Sequence, residues 1–439
     1  MALALAILSG ACGKRAAPPQ AREQRDSRPA DAEAPQPAPA DDDRACGYVD
    51  KTGKYAIGRH FDQAADFAFG LAAVTKNRKS GFINTKGDYA IAPIFDAAKG
   101  FRDGFAAVCV EKKGWGFIDT KGTWSIPPSF AFADSFAQGT AVVKVDADLE
   151  RACTGLSGKE VPAGSECESD ESVDTDDDTP GAYFLIDRTG KRLHDKGAHC
   201  ITRMSEGLAA TRWKDKWGYL DRDGKQAIPP RFARAKPFGE GWAAVSMAIA
   251  GHEEDSGDSE RKWAFIDRHG RFVRPLKYRA AEVGVFSEGL VAMEGLPIKT
   301  FLASPAGRAC VPPREDERDM TADELRAYRE MPADCGAYLD KRGNLRVAVP
   351  SCGFDDSPMG YRSFREFSGG FAEVVMQEPV RIAPFKCAPA LMGTVRTFVD
   401  QHGRFQPAAE VLLRRSTEGL VPKCGKAKGA PDAAPFIWE

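Results

Sequence analysis

Apolar runs of strand length, bounded by Gly, Asp, Asn and Pro, recur along most of the chain. Two patterns alternate. The first is an apolar run ending in D-x-x-G or N-x-x-G. It reads YVDKTG (Tyr48–Gly53), FINTKG (Phe82–Gly87), FIDTKG (Phe117–Gly122), LIDRTG (Leu185–Gly190), YLDRDG (Tyr219–Gly224), FIDRHG (Phe265–Gly270), YLDKRG (Tyr338–Gly343) and FVDQHG (Phe398–Gly403). The second is F-x-x-G followed by a small apolar run, as in FAFGLAAV (Phe67–Val74), FRDGFAAV (Phe101–Val108), FGEGWAAV (Phe238–Val245) and FSEGLVAM (Phe286–Met293). STEGLV (Ser416–Val421) is a decayed last copy.

The spacing marks a true repeat. From the turn Asp or Asn to the glycine of the second pattern, the first five units each span 20 positions: Asp50 to Gly70, Asn84 to Gly104, Asp119 to Gly139, Asp187 to Gly207 and Asp221 to Gly241. The later three span 22, 30 and 19 (from Asp267, Asp340 and Asp400). An Asp or Asn opening a tight turn accepts a hydrogen bond from the backbone two residues on. The glycine three positions later tolerates positive φ. Asp50/Gly53, Asn84/Gly87, Asp119/Gly122, Asp187/Gly190, Asp221/Gly224, Asp267/Gly270, Asp340/Gly343 and Asp400/Gly403 are therefore read as turn residues, not catalytic carboxylates. A short run ending in proline follows several turns (Ile91–Pro93, Ile126–Pro128, Ile228–Pro230) and is expected to end there, because proline cannot donate to a ladder.

Trp115-Gly116-Phe117-Ile118-Asp119 and Trp217-Gly218-Tyr219-Leu220-Asp221, with the accompanying Ile-Pro-Pro and F-x-x-G-L-A-x-V elements, resemble the WG (KWG) repeat family. The resemblance runs from about Gly47 to Val421. It implies β-rich repeats, common in bacterial exported proteins, and no shared catalytic activity. The expected fold is all-β: about eight tandem repeats of ~34 residues, each a three-stranded antiparallel meander, in a solenoid-like or propeller-like array.

Length variation is concentrated. From the second-pattern glycine to the next turn residue, the regular separations are 14 or 15, whereas four reach 48, 26, 51 and 30. The corresponding insertions lie at 145–180, 247–262, 295–334 and 377–393, all in the same hairpin of the unit. Equivalent loops of a regular array emerge on one edge, so these loops are expected to form a binding face. Two insertions hold paired cysteines, Cys153 with Cys167 and Cys310 with Cys335, and are expected to be disulfide-stapled. Cys46, Cys109, Cys200, Cys352, Cys387 and Cys424 cannot be paired from sequence.

The N-terminus lies apart from the array. Met1–Ala11 is a short apolar run ending in small residues before Cys12, and it resembles the end of a bacterial lipoprotein signal. The expected layout is a signal and lipidation segment at 1–12, a disordered Pro/Ala-rich tether at 13–45, the repeats at 46–424 and a tail at 425–439. Lipidation at Cys12 and an even remaining cysteine count point to export, to the periplasm or a membrane-anchored position in a bacterial envelope.

Candidate chemistry is sparse. The formal net charge is −2, which gives no basis for a nucleic-acid partner. There are six histidines and no H-E-x-x-H, G-x-S-x-G or phosphate-loop motif. His194, His199 and Cys200 are close in sequence but match no strong metal signature. In the acidic stretch Ser165–Asp178, Asp174, Asp176 and Asp178 begin an EF-hand-like pattern, but Thr179 and Leu185 stand where its Gly and Glu belong, so an EF-hand is rejected. No cofactor or metal site is expected. The expected function is a non-enzymatic envelope protein whose loop-lined surface binds a protein or glycan, touching the membrane only through a lipid anchor. The alternatives are a cell-wall hydrolase with its site in the insertions, or a structural spacer.

Overall fold

The computed structural model describes residues 45–145, 149, 152–153, 183–247, 262–280, 282–310, 320–331, 335–350, 363–364, 367–368, 370–377, 394–402, 404–406 and 419–424. Cys12, the tether up to residue 44, Cys167, Gly403 and the tail lie outside this set. So do the side chains of Cys310 and Cys335.

The described strands form eight antiparallel sheets. Sheet 1 is Tyr55–Phe61, Cys46–Val49 and Val421–Cys424; sheet 2 is Gln63–Ala64, Leu71–Lys76, Lys79–Asn84 and Tyr89–Phe95. Sheet 3 is Ala97–Ala98, Phe105–Val110, Gly114–Asp119 and Trp124–Phe130; sheet 4 is Phe132–Ala133, Ala141–Lys144 and Tyr183–Ile186. Sheet 5 is Cys200–Ile201, Leu208–Trp213, Lys216–Asp221 and Gln226–Phe232; sheet 6 is Arg234–Ala235, Ala243–Met247, Lys262–Ile266 and Phe272–Arg279. Sheet 7 is Glu282–Val283, Leu290–Glu294, Cys335–Asp340 and Leu345–Pro350; sheet 8 is Ser363–Phe364, Phe371–Gln377, Thr394–Asp400 and Phe405–Gln406.

The sheets are framed one strand out of step with the sequence unit. Each joins the G-L-A-A-V strand of one unit to the turn-motif strand of the next. The decayed copy ending at Val421 therefore pairs with the first turn-motif strand, Val49 opposite Val421 and Cys46 opposite Cys424. The Cys46–Cys424 disulfide locks this pair across 378 residues of sequence. The ends of the array therefore meet in one sheet, a propeller-like arrangement. Most sheets also gain a two-residue strand beyond the expected three.

The small apolar runs exist because these strands are buried on both faces. Ala72 and Val74 pack toward sheet 1 with Tyr48 and Phe61. Leu71 and Ala73 pack the other way with Ala106, Val108 and Ile118 of sheet 3. The same period-two division continues between sheets 3 and 4, 5 and 6, and 7 and 8. One ring contact recurs whatever the length of the unit. The aromatic opening each turn motif meets the Phe opening the next F-x-x-G motif: Tyr48–Phe67, Phe82–Phe101, Phe117–Phe136, Tyr219–Phe238, Phe265–Phe286 and Tyr338–Phe367, with ring centroids 4.7–5.0 Å apart. Phe82, Phe117 and Phe238 are fully buried, each worth ~2–3 kcal/mol by area. In the fourth unit Leu185 and Met204 share a cluster in place of two rings.

Two expectations change. The Ile-Pro-Pro segments do not end at proline; Tyr89–Phe95, Trp124–Phe130 and Gln226–Phe232 run through it. Each is the edge strand of its sheet, and its register shifts around the prolines, so no ladder donor is missed. This bulge explains the Gly of Trp-Gly: a Cβ on Gly116 would lie 2.6 Å from Pro128 N and 2.7 Å from Ile126 O, and Gly81 and Gly218 are crowded the same way. The 295–334 insertion is helical in part: α1 (Ile298–Leu302), α2 (Pro305–Cys310) and α3 (Ala322–Glu330), the last opened by a Thr321/Glu324 capping box. Leu296, Ile298 and Phe301 are buried in the core between sheets 6 and 7.

Candidate functional site: the two ends of the sheets

Strand registers give every sheet two distinct ends. At one end the second-pattern run begins opposite the turn residue: Leu71 with Asn84, Phe105 with Asp119, Leu208 with Asp221, Leu290 with Asp340, Phe371 with Asp400. At the other end lie the connecting hairpins, which are short after Lys76, Val110 and Trp213 and carry the insertions after Lys144, Met247, Glu294 and Gln377. Cys46 and Cys424 also sit at the insertion end, so the chain enters and leaves the array there.

At the turn end, all eight turn residues accept two backbone hydrogen bonds through Oδ1, from the second and fourth residues after them, at 2.8–3.2 Å. The Arg271 N–H leads in holding Asp267 below the ordinary carboxylate range, and the Thr52 hydroxyl does so for Asp50. The Oδ1 atoms of the turn residues are thus already in use as acceptors.

The F-x-x-G motifs form tight turns in which two residues have positive φ, for example Glu240 (50°) and Gly241 (82°). Residues 103, 138, 206, 240 and 288 are Asp, Gln, Glu, Glu and Glu, and each reaches the next sheet. Asp103 Oδ2 accepts from Gly139 N, Gln138 Oε1 from Gly207 N, Glu206 Oε2 from Gly241 N, Glu240 Oε1 from Gly289 N and Glu288 Oε2 from Gly370 N, at 2.8–2.9 Å. The residue after the turn Asp adds a second link in four cases. Arg222 donates to Gln138 Oε1, Arg268 to Glu206 O, Lys341 to Glu240 O and Gln401 to Glu288 Oε2. This relay ties sheets 3 to 8 along one end. The sequence signal for it was the recurrent acid or amide just before the second-pattern glycine.

At the insertion end, Cys153 is bonded to Cys109 and not to Cys167. The start of the 145–180 insertion folds back over sheet 3, where Trp115 Nε1 donates to Ala152 O and Ala152 and Cys153 join the core. The disulfide therefore staples the insertion to the neighbouring hairpin and does not close the loop on itself. His194, His199 and Cys200 form no metal site. Cys200 is disulfide-bonded. His199 Nδ1 accepts from Lys214 N, and His194 Nε2 accepts from Leu185 N while its Nδ1 faces Lys196 O. Among the described residues no cluster of three His, Cys, Asp or Glu could hold a metal. None of their helices is long and apolar enough to cross a membrane.

Between the ends lies a buried ionic group that composition did not reveal. Asp134 is 0% exposed and accepts from Lys99 Nζ (3.2 Å), Arg203 Nε and Arg203 Nη2 (both 2.9 Å). Burial pushes its pKa up, but the Arg203 hydrogen bonds and the Lys99 and Arg203 charges outweigh this and hold it below the ordinary value. Lys99 Nζ also lies 4.6 Å from the Phe132 ring centre. The three residues come from the crossovers into sheets 3, 4 and 5, so the group joins consecutive sheets.

The family model described as WG containing repeat matches residues 47–79, 81–113, 115–147 and 217–247. No curated protein matches the chain. Among solved structures, the chain is similar to the computationally designed Ika8 protein (11% identity, 78% of this chain and 85% of that one, TM-score 0.38). It is also similar to BamB from Moraxella catarrhalis (8%, 70% and 77%, 0.34) and to a eukaryotic initiation factor (9%, 83% and 95%, 0.41).

Proposed function

We propose, from the premise that this chain is a WG-repeat protein, that it is an exported binding scaffold without catalytic activity whose insertion end holds a protein or glycan partner. The observation that carries this is the register. The four longest insertions extend the same hairpin position, and the strand pairs put that position at one end of each sheet. The opposite end is regular, and its carboxylates are occupied by backbone donors. Two insertions start from well-anchored bases, with Cys109–Cys153 at one and Ile298 and Phe301 packed into the core at the other. Rigid bases reduce the ordering cost of binding. The disulfides support an oxidising compartment. We further propose a membrane-anchored or periplasmic position, with lipid on Cys12.

The test compares the full-length chain with variants in which the 247–262 or 295–334 insertion is replaced by a two-residue Asn-Gly hairpin. Each is immobilised and exposed to purified envelope glycans and to an envelope protein fraction. A partner held by the parent and lost from one variant, with thermal stability retained, supports the reading. Identical retention by all variants overturns it, and release of glycan fragments replaces it with the hydrolase reading.

A further inference from the structure

The relay at the turn end is incomplete, and its gap has a definite chemistry. At five junctions an acid or amide side chain occupies the position that accepts the next turn's Gly N–H. At the junction from sheet 2 to sheet 3 that position belongs to Phe69, which has no acceptor to offer. Among the described residues nothing accepts from the Gly104 N–H. An added Cβ on Gly104 would meet no atom within 4 Å, as at the partnered Gly139, Gly241, Gly289 and Gly370, so its surroundings match theirs apart from the missing acceptor.

Phe69 is unusual in two further ways. It is 59% exposed, the most exposed aromatic ring among the described residues. Its φ is 56°, a left-handed conformation that costs a bulky residue about 1–3 kcal/mol and that the equivalent positions fill with Asp, Gln or Glu. The fold therefore holds a phenyl ring out in solvent at a strained position, at the junction whose backbone donor is unused. The exposed Thr120 stands where Arg, Lys or Gln supplies the second link at other junctions, and Lys86 and Lys121 are exposed on the adjoining turns.

We propose that this gap is a docking socket for an acidic side chain on a partner protein. The carboxylate would take the Gly104 N–H, as Asp103, Glu206, Glu240 and Glu288 do within the chain for the glycines that follow them. Phe69 would cover the partner's adjacent apolar atoms, and Lys86 and Lys121 supply matching charge. The socket lies at the opposite end from the insertions and does not depend on the reading of those loops.

The experiment uses the full chain labelled with 15N-glycine, in which Gly104 is compared with the partnered Gly139, Gly241, Gly289 and Gly370. The probe is the blocked peptide Ac-Ala-Glu-Ala-NH2, with Ac-Ala-Ala-Ala-NH2 as control. The expected result is a saturable shift of the Gly104 amide with the Glu peptide alone, the partnered glycines staying in place. Phe69→Glu, and Phe69→Gln as the counterpart of Gln138, should close the gap from within. Gly104 then moves toward the partnered positions without peptide and no longer responds to it. No response of Gly104 in the parent, equal response to both peptides, or an unmoved Gly104 in both folded variants overturns the proposal.

Discussion

Replacing Asp134 with Ala tests whether the buried ionic group holds neighbouring sheets together. Asp134 is a buried carboxylate facing two cations, Lys99 at 5% exposure and Arg203 at 27%. Removing it leaves Lys99 as a buried ammonium, with the Phe132 and Trp115 rings near it at 4.6 and 5.6 Å among the described residues. Breaking a buried pair in this way costs about 3–5 kcal/mol. Arg203 can turn to water and the rings return roughly 1 kcal/mol to Lys99, so about 3 kcal/mol is expected for Asp134→Ala. Removing both charges with Lys99→Met in the same chain should recover much of that loss. The assay is equilibrium urea unfolding with disulfides intact. The pH dependence has a definite sign. The folded-state pKa of Asp134 lies below its unfolded value near 3.9, so its contribution is full above that pH and is lost as pH falls through the folded value. The gap between parent and Asp134→Asn should therefore close in strong acid. A loss below about 1 kcal/mol at neutral pH, or a double variant no better than the single one, would refute the reasoning.

His194 stands in for a missing strand, since sheet 4 has no fourth strand and the Leu185 N–H finds the imidazole Nε2 at 3.0 Å. Burial holds its pKa below the ordinary value, against the Lys196 carbonyl and Asp195, which raise it, and with Arg192, which lowers it. The neutral form is required, so stability should fall as pH drops from the unfolded value near 6.5 toward the folded one. Melting curves at several pH values should show this slope in the parent and not in His194→Ala; parallel slopes would count against the assignment. Gly116→Ala should cost about 1–3 kcal/mol in urea unfolding, because its Cβ meets backbone that cannot turn away. Cys46→Ser with Cys424→Ser should lower stability by about 2–4 kcal/mol and raise hydrogen exchange at 421–424 first. Unchanged exchange there would mean that the strand pair closes the array unaided.

Much of the fold was legible because its rules are local. Asp50 and its seven counterparts need only their own turn, and the alternation of Leu71–Val74 needs only two buried faces. Chain closure was not legible, since Val421 and Val49 read alike whether they pair or end an open array. The proline strands were misread for a related reason. Proline stops a strand in a sheet interior but not at an edge, and edge status belongs to the assembled sheet. Cys153 was assigned to its nearest insertion partner because sequence shows loops as separate. In space Ala152 and Cys153, at the start of the 145–180 insertion, lie against the hairpin before it, where Cys109 waits.

The relay shows how a site can be visible in a sequence and still be missed. Asp103, Gln138, Glu206, Glu240 and Glu288 share one position, yet taken singly each is an ordinary polar turn residue. Their common role needs the next sheet's glycine beside them, so repetition alone could not reveal it. Once the role is known, the departure at Phe69 becomes informative, because a repeat defines what each position ordinarily does. The same logic applies to the buried group. The crossovers that supply Lys99, Asp134 and Arg203 hold other residues at other sheets, with Lys236 and Glu282 paired across the next crossovers. Charges placed at one level of consecutive sheets can specify which sheet follows which, a task that interchangeable Ala-Ala-Val strands cannot perform.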